Sequence, residues 1–190
     1  MKTVCFMGSH FGMTKNSIEK AKNILISLID NGYKTFYCGE YGDFDLQINS
    51  ILFNLKKIYK DITLICVKPY YNENKFKSQK CKKEYQALKS KILYEYEKFD
   101  DLDKRIDYID DEFKYDFFKI KFIYENKFDD VIVCGLENVP YKFRIVECNK
   151  WKVKNSDVVV SFFTNKYSNT YKIRQFALKS NKKVVDINDL

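Results

Sequence analysis

Three short segments carry residue types suited to holding an anion or a sugar hydroxyl: Gly8-Ser9-His10, the run Gly39-Glu40-Tyr41-Gly42-Asp43-Phe44-Asp45, and Ser168-Asn169-Thr170. In the first, glycine lets backbone approach a ligand, and Ser9 and His10 can donate hydrogen bonds beside the free N–H groups of a following helix. In the second, Gly39 and Gly42 loosen a turn, and Asp43 or Asp45 can cap a helix or bind a ribose hydroxyl. The third, preceded by Tyr167, reads as a helix start and a further anion cradle. Each segment alone also reads as structural punctuation, and capping is the commoner role of a single aspartate. Their recurrence favours ligand chemistry, with Ser9, Asp45 and Thr170 as leading candidates. Arg144 and Trp151 would pair a cation with an aromatic plane if one helix carries both. A capping arginine and a core tryptophan are the ordinary alternatives.

The elements that must position these residues follow from hydrophobic spacing. Residues 3–7 (TVCFM), 34–38 (KTFYC), 62–67 (ITLICV), 129–135 (DDVIVCG), 157–163 (DVVVSFF) and 182–187 (KKVVDI) are short apolar runs of strand length. Ile18, Ala21, Leu25, Leu28 and Ile29 share one helical face, with Thr14 or Asn16 as cap and Asn31-Gly32 as stop. Phe44, Ile48, Ile51, Leu52, Leu55 and Ile58 form a second such face. Further helices are predicted within 141–156, at least in the later part, and over about 169–180. Apolar strands joined by amphipathic helices predict a single α/β domain over 1–190, with a mainly parallel, Rossmann-like open sheet flanked by helices. The candidate turns then follow the first, second and fifth strands, at the end of the sheet where ligands bind. Between them, 72–128 has helical spacing at Tyr85, Leu88, Ile92 and Tyr96 and again at Leu102, Ile106, Ile109 and Phe113. This stretch reads as a charged helical insertion. Tyr70 and Tyr71 would line the cleft or pack against it.

Composition narrows the classes. At 190 residues and 45% hydrophobic content the chain can bury a sizeable core. No run approaches a membrane span, and MKTVCFMGSH reads as a buried strand in place of an export signal, so the expectation is a cytoplasmic protein. The six cysteines show no C-x-x-C pair or zinc spacing, and those in apolar runs behave as small hydrophobes. One histidine, His10, cannot build a multi-histidine site, so no metal and no cofactor are expected. The net charge of +8 is spread along the chain, which raises the nucleic-acid reading only slightly.

The segments MKTVCFMGSH, FYCGEYGDFD with LKKIYKDITLICVKPY, and VPYKFRIVECNKWKVKNSDVVVSFFTNKYSNTYKIRQFA resemble the SLOG superfamily, which includes the lonely-guy phosphoribohydrolases and the DNA-processing protein A fold. The likeness is greatest to small bacterial SLOG proteins of uncharacterised function. It covers roughly 1–70 and 129–190, and is most specific in the second turn and in Arg144, Asn149, Trp151 and Ser156-Asp157. The resemblance implies a nucleotide-related ligand held between the first turn and the turn before the last helix. Three departures stand out. The family's last turn is usually Gly-Gly-Thr or Gly-Gly-Ala, where this chain has Ser168-Asn169-Thr170. Gln175 replaces a glutamate often found in the following helix. The Pro-Gly-Gly-x-Gly-Thr-x-x-Glu signature of the phosphoribohydrolases is absent. The resulting expectation is a sensor or sequestering domain that binds a nucleotide or nucleotide-derived small molecule without turnover, with a homo-oligomer left open. The alternatives are a nucleotide N-glycosidic-bond hydrolase, using Glu40, Asp43 or Glu147 as its carboxylate, and a single-stranded nucleic-acid binder.

Overall fold

The structure is a computed structural model that describes residues 2–10, 12–69 and 128–189. The expected insertion, apart from Phe128, lies outside the described residues, as do Tyr70 and Tyr71. The chain divides into two units, one of them residues 1–70 with 128–190, and the fold below is that of this unit.

Apolar content on both faces makes β1 (Lys2–Gly8) the centre of the sheet: Val4, Cys5, Phe6 and Met7 are all buried. Alternation sends Val4 and Phe6 to one face and Cys5 and Met7 to the other. Helix α1 (Lys15–Asp30) starts where Thr14 accepts a hydrogen bond from the Ser17 N–H, and stops at Asn31, before Gly32 with φ +84°. Ala21, Ile24, Leu25, Leu28 and Ile29 are its buried stripe. The chain continues through β2 (Tyr33–Cys38), α2 (Asp43–Ile58), β3 (Thr63–Lys68), β4 (Asp130–Val133), α3 (Tyr141–Lys154), β5 (Val158–Phe162), α4 (Asn169–Lys179) and β6 (Lys183–Asp186). A single 3-10 turn, Ile187–Asp189, ends it.

Among the described residues the six strands form one sheet, ordered β4-β3-β2-β1-β5-β6, and every pairing is parallel. This is a Rossmann-like α/β open sheet. Helices α1 and α2 cover the face of Val4, Phe6, Phe36, Leu64 and Val160; α3 and α4 cover the face of Cys5, Met7 and Val159. None of the described helices is long and apolar enough to cross a membrane. Within the 141–156 stretch, expected to be helical at least in its later part, α3 begins at the first residue and ends at Lys154. Its start has no side-chain cap on Pro140; Arg144 holds that end, donating to the carbonyls of Val139 and Glu137 at 2.7 Å each.

At the opposite end of the strands, Asp157 ties β5 to β1. Its carboxylate accepts from the Thr3 N–H at 2.7 Å and the Thr3 hydroxyl at 3.0 Å, while its own N–H donates to the Thr3 carbonyl at 3.0 Å. These bonds, the one from the Thr3 N–H first, hold Asp157 below the usual carboxylate range. A depressed folded-state pKa contributes stability that is present above the unfolded value near 4 and lost as pH falls through the folded value. The expected outcome is that Asp157→Asn lowers the urea midpoint at pH 7 and narrows the gap between wild type and variant as pH falls toward 3. A gap that is constant with pH would assign the loss to packing.

Candidate functional site

Strand order reverses at β1. The connection from β1 runs over one face of the sheet into α1 and β2, and the connection from β5 runs over the other into α4 and β6. In open α/β sheets the carboxyl ends of the strands at such a reversal are where ligands bind.

The structure brings the three candidate turns together there. Thr170 donates its hydroxyl to the Gly8 carbonyl at 2.8 Å, and the Ser9 N–H donates to the Phe162 carbonyl at 3.0 Å. The Asp43 N–H donates to the His10 carbonyl at 3.2 Å. Gly42, at φ +108°, lies against His10, so a side chain at this position would be both strained and crowded. A Cβ at Gly8 would overlap the Phe44 ring, which stacks on Phe162 with centroids 6.0 Å apart. Gly8 and Gly39 thus serve internal packing: a Cβ at Gly39 would collide with the Asp45 carboxylate.

Several side chains have structural partners. Asp43 and Asp45 were candidate caps, but Gly42 occupies the N-cap of α2 and makes no side-chain cap bond. Asp45 is buried and accepts from the Tyr41 N–H at 2.8 Å. Ser168 is the N-cap of α4, accepting from the Tyr171 N–H at 3.1 Å while donating to the Asn165 carbonyl at 2.7 Å. Arg144 and Trp151 share α3 but do not pair: the guanidinium is spent on backbone carbonyls, and the indole meets Tyr37 edge-on at 5.7 Å. His10, Tyr41 and Asn169 are exposed, and Ser9 is partly so.

Sequence reasoning missed a buried charge near this end of the sheet. Lys152, in the last turn of α3, is 2% exposed and donates its ammonium to the Phe6 carbonyl at 3.1 Å, two residues before the first turn. Burial alone would push its pKa down, but Asp45 and the thiols of Cys148, Cys5 and Cys38 outweigh it and raise it. Burial raises the Asp45 pKa, and Lys152 and the Tyr41 N–H pull it only partly back. The signal for Lys152 was its spacing: it follows Cys148 by four residues and adjoins Val153, both buried. A second anchor was also missed. Asp186, at the end of β6, accepts from Ser161 of β5 and from Arg174 of α4. Arg174 also lies over the ring of Phe163, 5.4 Å from its centroid.

A hollow of about 700 Å³ opens elsewhere, between the later half of α1 and the beginnings of β1, β2 and β6, lined in part by Lys2, Lys20, Tyr33 and Lys183. It holds none of the candidate residues. Among the described residues no cluster of three or more His, Cys, Asp or Glu side chains is arranged to hold a metal ion.

Replacing Lys152 with Met should raise the Asp45 midpoint further, because the cation that partly offsets its burial is gone. A raised carboxylate pKa makes stability fall as pH climbs from the unfolded value to the folded one, so this window should extend upward in the variant. The chemical shift of the Asp45 carboxyl carbon against pH reads it directly; an unmoved midpoint would show that Lys152 does not act on Asp45. No family model matches the chain, and no curated protein matches it.

Proposed function

We propose that the crevice above β1, β2 and β5 binds a nucleotide or nucleotide-derived small ligand and holds it without turnover, in a domain of SLOG-like descent. The observation that carries this reading is the convergence of three hydrogen-bonding turns at the point where strand order reverses. There the ligand would meet exposed His10, Tyr41 and Asn169, partly exposed Ser9, and the first turn of α4, whose N–H groups and dipole favour an anion. The Lys152 ammonium adds positive potential from below. Tyr41 supplies an aromatic face for a base or ribose.

Binding without cleavage is supported by the state of the carboxylates. Asp45 is buried against Tyr41, Glu40 pairs with Lys68 at 3.5 Å, and Glu147 pairs with Lys150 at 2.7 Å. Asp43 is exposed in the first turn of α2, where a negative charge complements the helix dipole.

The expected result of a thermal-shift series with mononucleotides, cyclic nucleotides and ADP-ribose is a concentration-dependent rise in Tm with at least one of them. His10→Ala, Ser9→Ala and Asn169→Ala should each weaken that ligand about tenfold, the loss of one hydrogen bond to a charged group. If no nucleotide raises Tm, or all three variants bind as wild type does, the reading fails. Free base in the incubated ligand, resolved by chromatography, would put the glycosidic-bond hydrolase in its place. Affinity for single-stranded nucleic acid that falls steeply with salt would favour the nucleic-acid reading.

A further inference from the structure

Cys134 and Cys148 are fourteen positions apart in sequence, and the fold sets their sulfurs 3.9 Å from each other. Cys134 follows β4 and is partly exposed; Cys148 is buried in α3. The Cys134 N–H donates to the Lys68 carbonyl at 2.8 Å, which fixes the backbone beside the thiol. The Cys148 thiol lies 3.8 Å from the Val67 carbonyl, its second partner. A disulfide needs the sulfurs at about 2.05 Å, so they must approach by roughly 2 Å to bond.

We propose that Cys134 and Cys148 form a peroxide-reactive dithiol site, in which Cys134 is the attacked thiol and Cys148 closes a disulfide between the end of β4 and α3. The asymmetry in exposure assigns the roles. Cys134 is partly open to an oxidant from solvent, whereas Cys148 is buried. The Cys134 thiolate attacks one oxygen of a hydroperoxide, breaking the O–O bond and giving a sulfenic acid, with alcohol or water as leaving group once protonated. Cys148 then attacks that sulfur, its proton leaves with the hydroxyl as water, and the S–S bond forms. Two thiols are oxidised by two electrons and one peroxide is reduced. The local electrostatics fit. The sulfur–sulfur contact with Cys148 holds the Cys134 thiol below its usual range, against the opposing effect of burial, and Lys152 adds to the lowering. The same pairing, with burial, pushes Cys148 up, so it keeps its proton until the second step. The disulfide fixes α3, and with it Lys152, to the end of β4. None of this depends on what the crevice binds.

The test treats the reduced, natively folded full chain with hydrogen peroxide, blocks remaining thiols in denaturant, and digests with trypsin. The expected product is a linked pair of peptides, 128–142 with 145–150, lighter by two hydrogens than their sum and separated by dithiothreitol. Cys148→Ser should stop at the sulfenic acid, trapped on Cys134 by dimedone, and Cys134→Ser should leave Cys148 unoxidised under the same treatment. Because the wild-type peptide map does not depend on either variant folding, it decides alone. Its failure to show the 134–148 link, or a link formed through Cys81 in its place, overturns the proposal. So does peroxide oxidation of Cys148 in the Cys134→Ser protein.

Discussion

An ammonium group enclosed in a protein must keep a hydrogen-bond acceptor and a nearby negative potential, or it loses its charge. Lys152 meets this requirement at the carboxyl end of the sheet, and much of the local architecture follows from it. The Phe6 carbonyl accepts a hydrogen bond from it. Asp45 supplies the largest favourable charge, although it is itself buried. For Asp45 to stay there, its carboxylate needs the Tyr41 N–H, and the space it occupies exists because position 39 has no side chain. The second turn is therefore shaped from within, by the demands of two buried charges, as much as by anything it presents to solvent.

The same logic explains what could be read from the sequence. Strands buried on both faces announce themselves as unbroken apolar runs, so β1, β3 and β5 were legible, as was the α1 stripe with its Thr14 cap and Asn31-Gly32 stop. The three turns were also placed correctly at strand ends. Partners were harder to read. Whether an aspartate caps a helix or turns inward depends on where a cation lies more than a hundred residues later in the chain, and that separation is invisible to local spacing. Thus Gly42, not Asp43 or Asp45, became the N-cap of α2. Arg144 and Trp151 share a helix, but seven residues set them about 10 Å apart along its axis, and each found a nearer partner. Lys152 was not singled out among the lysines of its stretch. Only its place on the stripe of Cys148 and Val153 distinguished it.

The turns brace one another before any ligand arrives. Thr170 to Gly8, Ser9 to Phe162 and His10 to Asp43 are bonds between different connections, not within one. Beneath them, Phe44 and Phe162 stack in the space Gly8 leaves open. Gly8 and Gly39 bring protein to protein here, leaving room for the Phe44 ring and the Asp45 carboxylate.

The pairing of β1 with β5 has a consequence for the order of assembly. Thr3 and Asp157 are 154 positions apart in sequence, whereas β1, β2 and β3 follow one another through single helical crossovers. A chain emerging from the ribosome can build the β1–β2–β3 half while the other side of β1 is still an open edge, apolar and unpaired, and it must bear the loop-closure entropy of the distant strand before that edge is covered. Until β5 docks there is no reversal of strand order. The meeting of the three turns is thus a late product of folding, and the interval in which the edge of β1 stands open is when this chain is most exposed to pairing with another copy of itself.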